Sequence, residues 1–142
     1  MIRVTVQGAI SNIVTTPGTI TLQVNLGAVA AYSTGAVQLN ATAHTTLPFE
    51  FTALLTCRAV GASTSANLMG IGKLSGVMFT RTAAQVDNVN IGDSLMVPVT
   101  APAAGTGFDS TAAQTLDFFA GFSISNAGNG IQIHNYMVEA LN

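Results

Sequence analysis

Between residues 114 and 125 an apolar side chain recurs at every second position: Leu116, Phe118, Ala120, Phe122 and Ile124. Asp117, Gly121, Ser123 and Ser125 take most of the places between. Successive side chains of an extended chain point to opposite faces, so this stretch is a strand with one buried face. The same period of two returns in Ile2, Val4 and Val6, in Ile20, Leu22, Val24 and Leu26, and in Phe49, Phe51, Ala53, Leu55 and Cys57. Helical periodicity is nearly missing. Strands with one apolar face need a second sheet to cover them. The expected fold is therefore all-β: an antiparallel, jelly-roll-like β-sandwich of eight or nine strands. With 142 residues and no linker, the chain is expected to be one domain over residues 1–142.

Punctuation sets the expected boundaries. Asn129-Gly130 can take the positive φ angles of a tight turn, so residues 114–141 read as a long closing hairpin turning at 126–130. Ile131 and Ile133 begin the return strand. After His134-Asn135 the apolar phase moves to Tyr136, Val138 and Ala140, which predicts a bulge near Asn135. The first strand should end near Gly8. Short strands are expected at 28–32 and 36–39 around Ser33-Thr34-Gly35, and a polar loop at 40–46. Gly70, Gly72 and Gly76 weaken a strand at 67–80 and point to bends or close backbone approach. Residues 81–86 fit a short helix or a loop. Pro98 puts the strand at 94–99 on an edge or a bulge, and residues 100–111 read as loop.

Composition bears on function. Charged residues are 7% of the chain, against about 25% in an average soluble protein. Hydrophobic residues are 49% and the mean hydropathy is +0.50. No apolar run approaches the roughly 20 residues of a membrane helix, and the alternation begins directly after Met1, so neither membrane insertion nor a secretory leader is expected. The remaining exterior is Thr, Ser, Ala, Gly and Asn. Interface cores are depleted of charge, so much of this exterior is expected to meet other subunits. Net charge is −2, and the basic residues Arg3, Arg58, Lys73 and Arg81 are scattered along the sequence. Nucleic-acid binding needs them clustered, so none is expected.

Candidate chemistry is sparse. Ala31-Tyr32-Ser33-Thr34-Gly35 has the outline of a nucleophile elbow but lacks the following helix, so a turn is the better reading. His44, in the polar loop, and His134, at the bulge, have no nucleophile placed beside them. Residues 87–93 carry oxygen ligands and a glycine without the ligand order or terminal Glu of a calcium hand. Gly70-Ile71-Gly72-Lys73 lacks the spacing of a phosphate loop, and Asn40-Ala41-Thr42 matches a glycosylation acceptor only by pattern. Cys57 falls on an apolar strand face and reads as a buried small hydrophobe. No catalytic, cofactor-binding or metal-ligating residue is expected, no cofactor, and no enzyme activity. Leu54, Phe119, Tyr136 and Met137 are apolar on or near otherwise polar strand faces, which makes them the expected intersubunit contacts.

The run Asp109-Ser110-Thr111-Ala112-Ala113-Gln114-Thr115-Leu116-Asp117, with the ending Val138-Glu139-Ala140-Leu141, resembles the C-terminal part of tailed-bacteriophage virion jelly rolls. The likeness extends through Thr21-Leu22-Gln23-Val24-Asn25-Leu26-Gly27, Thr34-Gly35-Ala36 and residues 51–61. That family includes head decoration (cement) proteins and tail-fibre tip modules. The resemblance implies a homotrimer on the virion capsid surface that grips the major capsid protein or another virion protein. It carries no catalytic residues. The alternative within the family is a tail-fibre or spike tip that binds a host receptor. Related chains commonly have more sequence before the strand matching residues 2–6, so that strand is expected at a sheet edge open to a neighbour's strand.

Overall fold

The computed structural model describes residues 1–13, 18–80, 94–98 and 104–141. Among them run eleven strands: β1 (Ile2–Asn12), β2 (Thr19–Leu26), β3 (Val29–Ser33), β4 (Val37–Leu39), β5 (His44–Ala59), β6 (Ala66–Ser75), β7 (Phe79–Thr80), β8 (Leu95–Val97), β9 (Ala104–Phe108), β10 (Leu116–Phe122) and β11 (Gly130–Ala140). Strands β11, β1, β5, β6 and β8 lie side by side in that order, with β9 also on β6. Strands β10, β2, β4 and β7 form the second sheet, with β3 also on β2. The described pairings are all antiparallel. The two sheets pack face to face as a β-sandwich. The strand total exceeds the eight or nine expected because short ladders at β7 and β9 fall where the alternation is too brief to read.

The core lies where the alternating residues of the two sheets meet. Val4, Val6, Phe51, Leu55 and Leu74 of the first sheet face Ile20, Leu22, Val24 and Val37 of the second, all fully buried. Phe51 sits between Tyr32 and Phe118, with ring centroids 6.0 and 5.6 Å away. A smaller cluster of Leu26, Ala31, Ala66, Leu68 and Phe108 closes one end.

Two glycines of β6 decide how close the sheets come. A Cβ on Gly70 would stand 2.1 Å from Tyr32 Cδ2, and one on Gly72 would stand 2.6 Å from the Thr52 carbonyl oxygen and 3.0 Å from the Tyr32 hydroxyl. The Tyr32 ring lies directly over this bare backbone, which is the close approach the glycines indicate. The Tyr32 hydroxyl is buried with no hydrogen-bond partner among the described residues, and burial raises its pKa.

Thr34 mends a gap in the second sheet. The β2–β3 pairing ends at Gln23 opposite Ser33, and the β2–β4 pairing begins at Ile20 opposite Val37. Leu22 lies between. Its N–H donates to Thr34 Oγ1 at 3.0 Å, and its carbonyl accepts from the Thr34 N–H at 2.9 Å. Thr34 is fully buried, as an unpaired backbone group in a core requires.

Several expectations are corrected here. Residues 114–141 are no hairpin: β10 pairs with β2 in one sheet and β11 with β1 in the other. Their apolar faces turn toward each other across the sandwich, whereas a hairpin would set them side by side on one surface. Residues 2–6 are not at an edge, because β1 runs between β11 and β5 and continues past Gly8 to Asn12. The strand expected to begin at Phe49 starts at His44, which pairs with Asn12. Cys57 is exposed: β1 ends opposite Leu55, so β5 runs on without a described neighbour on that side. The expected bulge is present. Asn135 pairs with Gln7 and Ile133 with Gly8, leaving His134 as the extra residue. β8, followed by Pro98, has no neighbour beyond it among the described residues, in line with the expected edge. Residues 81–86 and 87–93 lie outside the described residues.

Candidate functional site

Two groups of exposed apolar side chains stand together. The first is on the side of the sandwich where β11 ends one sheet and β10 ends the other. Tyr136 and Val138 stand opposite Val6 and Val4, so they share the inward face. Yet Val4 and Val6 are 0% exposed while Tyr136 is 40% and Val138 is 45% exposed. The difference is positional: no further strand lies beyond β11 among the described residues, and none of them covers the core on this side. Phe118 and Phe122 of β10 are only partly buried there. The Tyr136 hydroxyl donates to the Leu116 carbonyl oxygen at 3.5 Å, the one described side-chain bond between these two strands. Burial, and then the nearby Asp117 carboxylate, raise the Tyr136 pKa.

The second is on the outer face of the first sheet. Leu54 and Ile71 are opposite one another, and Met69 is opposite Thr56. With Met1, Arg58 and Gly70 they line a hollow of about 460 Å³. Met96 and Met137, 59% and 43% exposed, flank it on β8 and β11. Methionine suits such a surface because its flexible thioether adapts to a partner. Arg3, Arg58 and Lys73 also rise from this face, a clustering the linear sequence hides. Arg3 is held by Glu139 at 3.2 Å, and Arg58 Nη1 donates to Met69 Sδ at 3.3 Å.

Three of the expected contact residues lie on these surfaces and one does not. Leu54 lines the hollow, and Met137 lies on the same outer face, across β1. Tyr136 points inward at the open side rather than lying on a polar face. Phe119, 50% exposed, lies on the outer face of the second sheet opposite Gln23. Sequence reasoning missed Ile71, Met96 and Val138. Ile71 and Met96 sit on short or glycine-broken strands, where facing is hard to assign.

The candidate catalytic groups do not converge. A hollow of about 570 Å³ is lined by Gln7, Glu50, Ser75 and His134 among others. Glu50, however, accepts a hydrogen bond from Gln7 Nε2 at 2.7 Å, and Gln7 accepts one from Asn135 at 3.2 Å. Ser75 and His134 are on strands three places apart, roughly 14 Å at ~4.8 Å per strand, beyond the reach of proton transfer. His44 and Cys57 are near opposite ends of one 16-residue strand, roughly 40 Å apart at ~3.3 Å per residue. Residues 31–35 lead into β4 rather than a helix, and Thr34 is committed to Leu22. Among the described residues, no group of three or more His, Cys, Asp or Glu could hold a metal ion.

Asp109, in the run that carries the family resemblance, has a structural part. Its Oδ1 accepts from the Thr111 hydroxyl at 2.6 Å and the Thr111 N–H at 2.8 Å, and its Oδ2 from the Ser63 N–H at 2.9 Å. These bonds, the Thr111 hydroxyl foremost, lower its pKa. Ser110 adds a bond from its N–H to the Gly61 carbonyl at 3.0 Å. The segment clamps the turn after β5 to the start of β10. Comparison with protein-family models, with curated proteins and with solved structures finds no match for this chain.

Proposed function

We propose that this chain is a structural virion protein: a decoration or cement protein that associates with copies of itself on a bacteriophage head and stabilises contacts between capsid subunits. The observation that carries the reading is the pair of uncovered apolar surfaces, the open side between β10 and β11 and the methionine-bearing outer face of the first sheet, in a chain with 7% charged residues. Surfaces of that kind mark contact sites. The nested pairing of first strand with last (β1–β11) and second with penultimate (β2–β10) supports the jelly-roll part of the resemblance. The homotrimer is the assembly the resemblance implies.

The mechanism is mechanical. A protein that binds only assembled capsid stabilises the assembled state by mass action, and linked copies gain from high effective concentration. Purified chain added to undecorated capsids should co-sediment with them and raise their melting temperature. Failure of both defeats the reading. Blocked adsorption of phage to cells by the purified chain, without capsid binding, favours the receptor-binding tip instead.

A further inference from the structure

The geometry points to a second copy of this chain as the occupant of the open side, joined through β11 paired antiparallel with β11 about a twofold axis. The inference does not depend on the virion reading, and it sets a twofold dimer in place of the homotrimer that the resemblance implies. It starts from how the two ends of the first sheet differ. The far end is blunted: β8 is three residues long and is followed by Pro98. Short edge strands and prolines are the usual defence against pairing with another chain. The near end has none of this. β11 is 11 residues long, contains no Lys or Pro, and meets no strand on its outer side among the described residues. Its one interruption is the bulge at His134, which leaves Asn135–Ala140 as a straight run. That run carries Tyr136, Met137 and Val138, each 40–45% exposed.

The strand is also self-complementary in one register. A twofold axis normal to the sheet keeps each side chain on its own face, so a residue faces itself or one an even number of positions away. Centred on Met137, the pairing sets Val138 opposite the second copy's Tyr136, a β-branched and aromatic pair on the inward face. It sets Glu139 opposite the second copy's Asn135. Centring on Glu139 would oppose two carboxylates, and centring on Val138 would set Met137 against Glu139. The Met137 register avoids both. In this register residues 134–140 of the two copies overlap, roughly 23 Å at ~3.3 Å per residue. With roughly 20 Å across two layers the contact is on the order of 460 Å² per copy, smaller than the ~800 Å² per partner of standard interfaces, so the dimer is a weak one.

The test uses the full chain. Sedimentation equilibrium should give twice the 14.5 kDa protomer mass, with β11 amides protected from hydrogen exchange in the dimer. Met137→Lys opposes two ammonium groups at the axis and should raise the dimer Kd at least ~10-fold, whereas Val60→Lys, at a position 80% exposed and away from both surfaces, should leave it unchanged. In a Cys57→Ser background, Met137→Cys should oxidise to a covalent dimer and Val138→Cys should not, because only residue 137 faces itself. A monomer at ~100 μM, a concentration well above ordinary complex affinities, overturns the inference. So does a trimer with freely exchanging β11 amides, or a dimer in which Met137→Cys fails to cross-link. Capsid binding can fail while the dimer stands, so this result and the test of the virion reading are separable.

Discussion

Gly70→Ala puts the packing between the sheets to a direct test. In an ordinary strand interior this change is favourable by about 0.5–1 kcal/mol, because alanine has less conformational freedom to lose. Here the new Cβ would stand 2.1 Å from Tyr32 Cδ2 and 2.9 Å from Leu55 Cδ2. The ring cannot swing away freely: Tyr32 is 5% exposed and packs on Phe51 at 6.0 Å. Overpacking of a filled core costs about 1–3 kcal/mol, so the expected net loss is about 0–2.5 kcal/mol. Urea denaturation at one fixed protein concentration measures it, since association would otherwise shift the midpoint. Repeating Gly70→Ala in a Tyr32→Leu background removes the ring. There the same change should be neutral or slightly stabilising, a coupling of about 1–3 kcal/mol between the sites. An equal effect in both backgrounds would refute the claim that Tyr32 against bare β6 backbone sets the sheet spacing.

Other outcomes follow from single contacts. Tyr32→Phe should leave stability unchanged or raise it by about 1 kcal/mol, because it removes a buried hydroxyl with no described partner; thermal melting checks the sign. Thr34→Val should cost about 1–3 kcal/mol in denaturant titration by orphaning the buried Leu22 N–H. Cys57→Ser should change stability by less than about 0.5 kcal/mol, because the thiol is exposed. Asp109 has a lowered folded pKa, so its contribution is complete above the ordinary aspartate value of about 3.9 and is lost as pH falls through the lower folded value. Asp109→Asn should therefore flatten the acid limb of a pH–stability profile relative to the parent chain.

The sequence made the strands legible where alternation was long and unbroken. β2 matches its expected span because Thr19 to Leu26 has four apolar residues on one face and four polar ones on the other. The bulge at His134 was readable because a change of apolar phase has one cheap structural cause. Partners were harder. Alternation says which face of residues 116–124 is apolar, but not whether that face shares a surface with residues 131–140 or opposes them, so an arch between sheets read as a hairpin. Cys57 was misplaced for a related reason. Its phase is inward, but burial depends on where the neighbouring β1 stops, a non-local fact. For the candidate surfaces, Leu54, Phe119 and Met137 stood out by breaking a polar face. Tyr136 and Val138 lie in phase with the core, and only the strand order reveals that no described strand lies beyond them.

The central claim is that the apolar outside of this sandwich is covered by copies of itself and by the particle it coats. A density map of intact virions that contain the chain tests it most directly. The account predicts the sandwich on the outer surface of the head, with the β10–β11 side and the face bearing Leu54, Ile71 and Met96 both against protein. A head without the chain, or the chain present with both surfaces in open solvent, would contradict it.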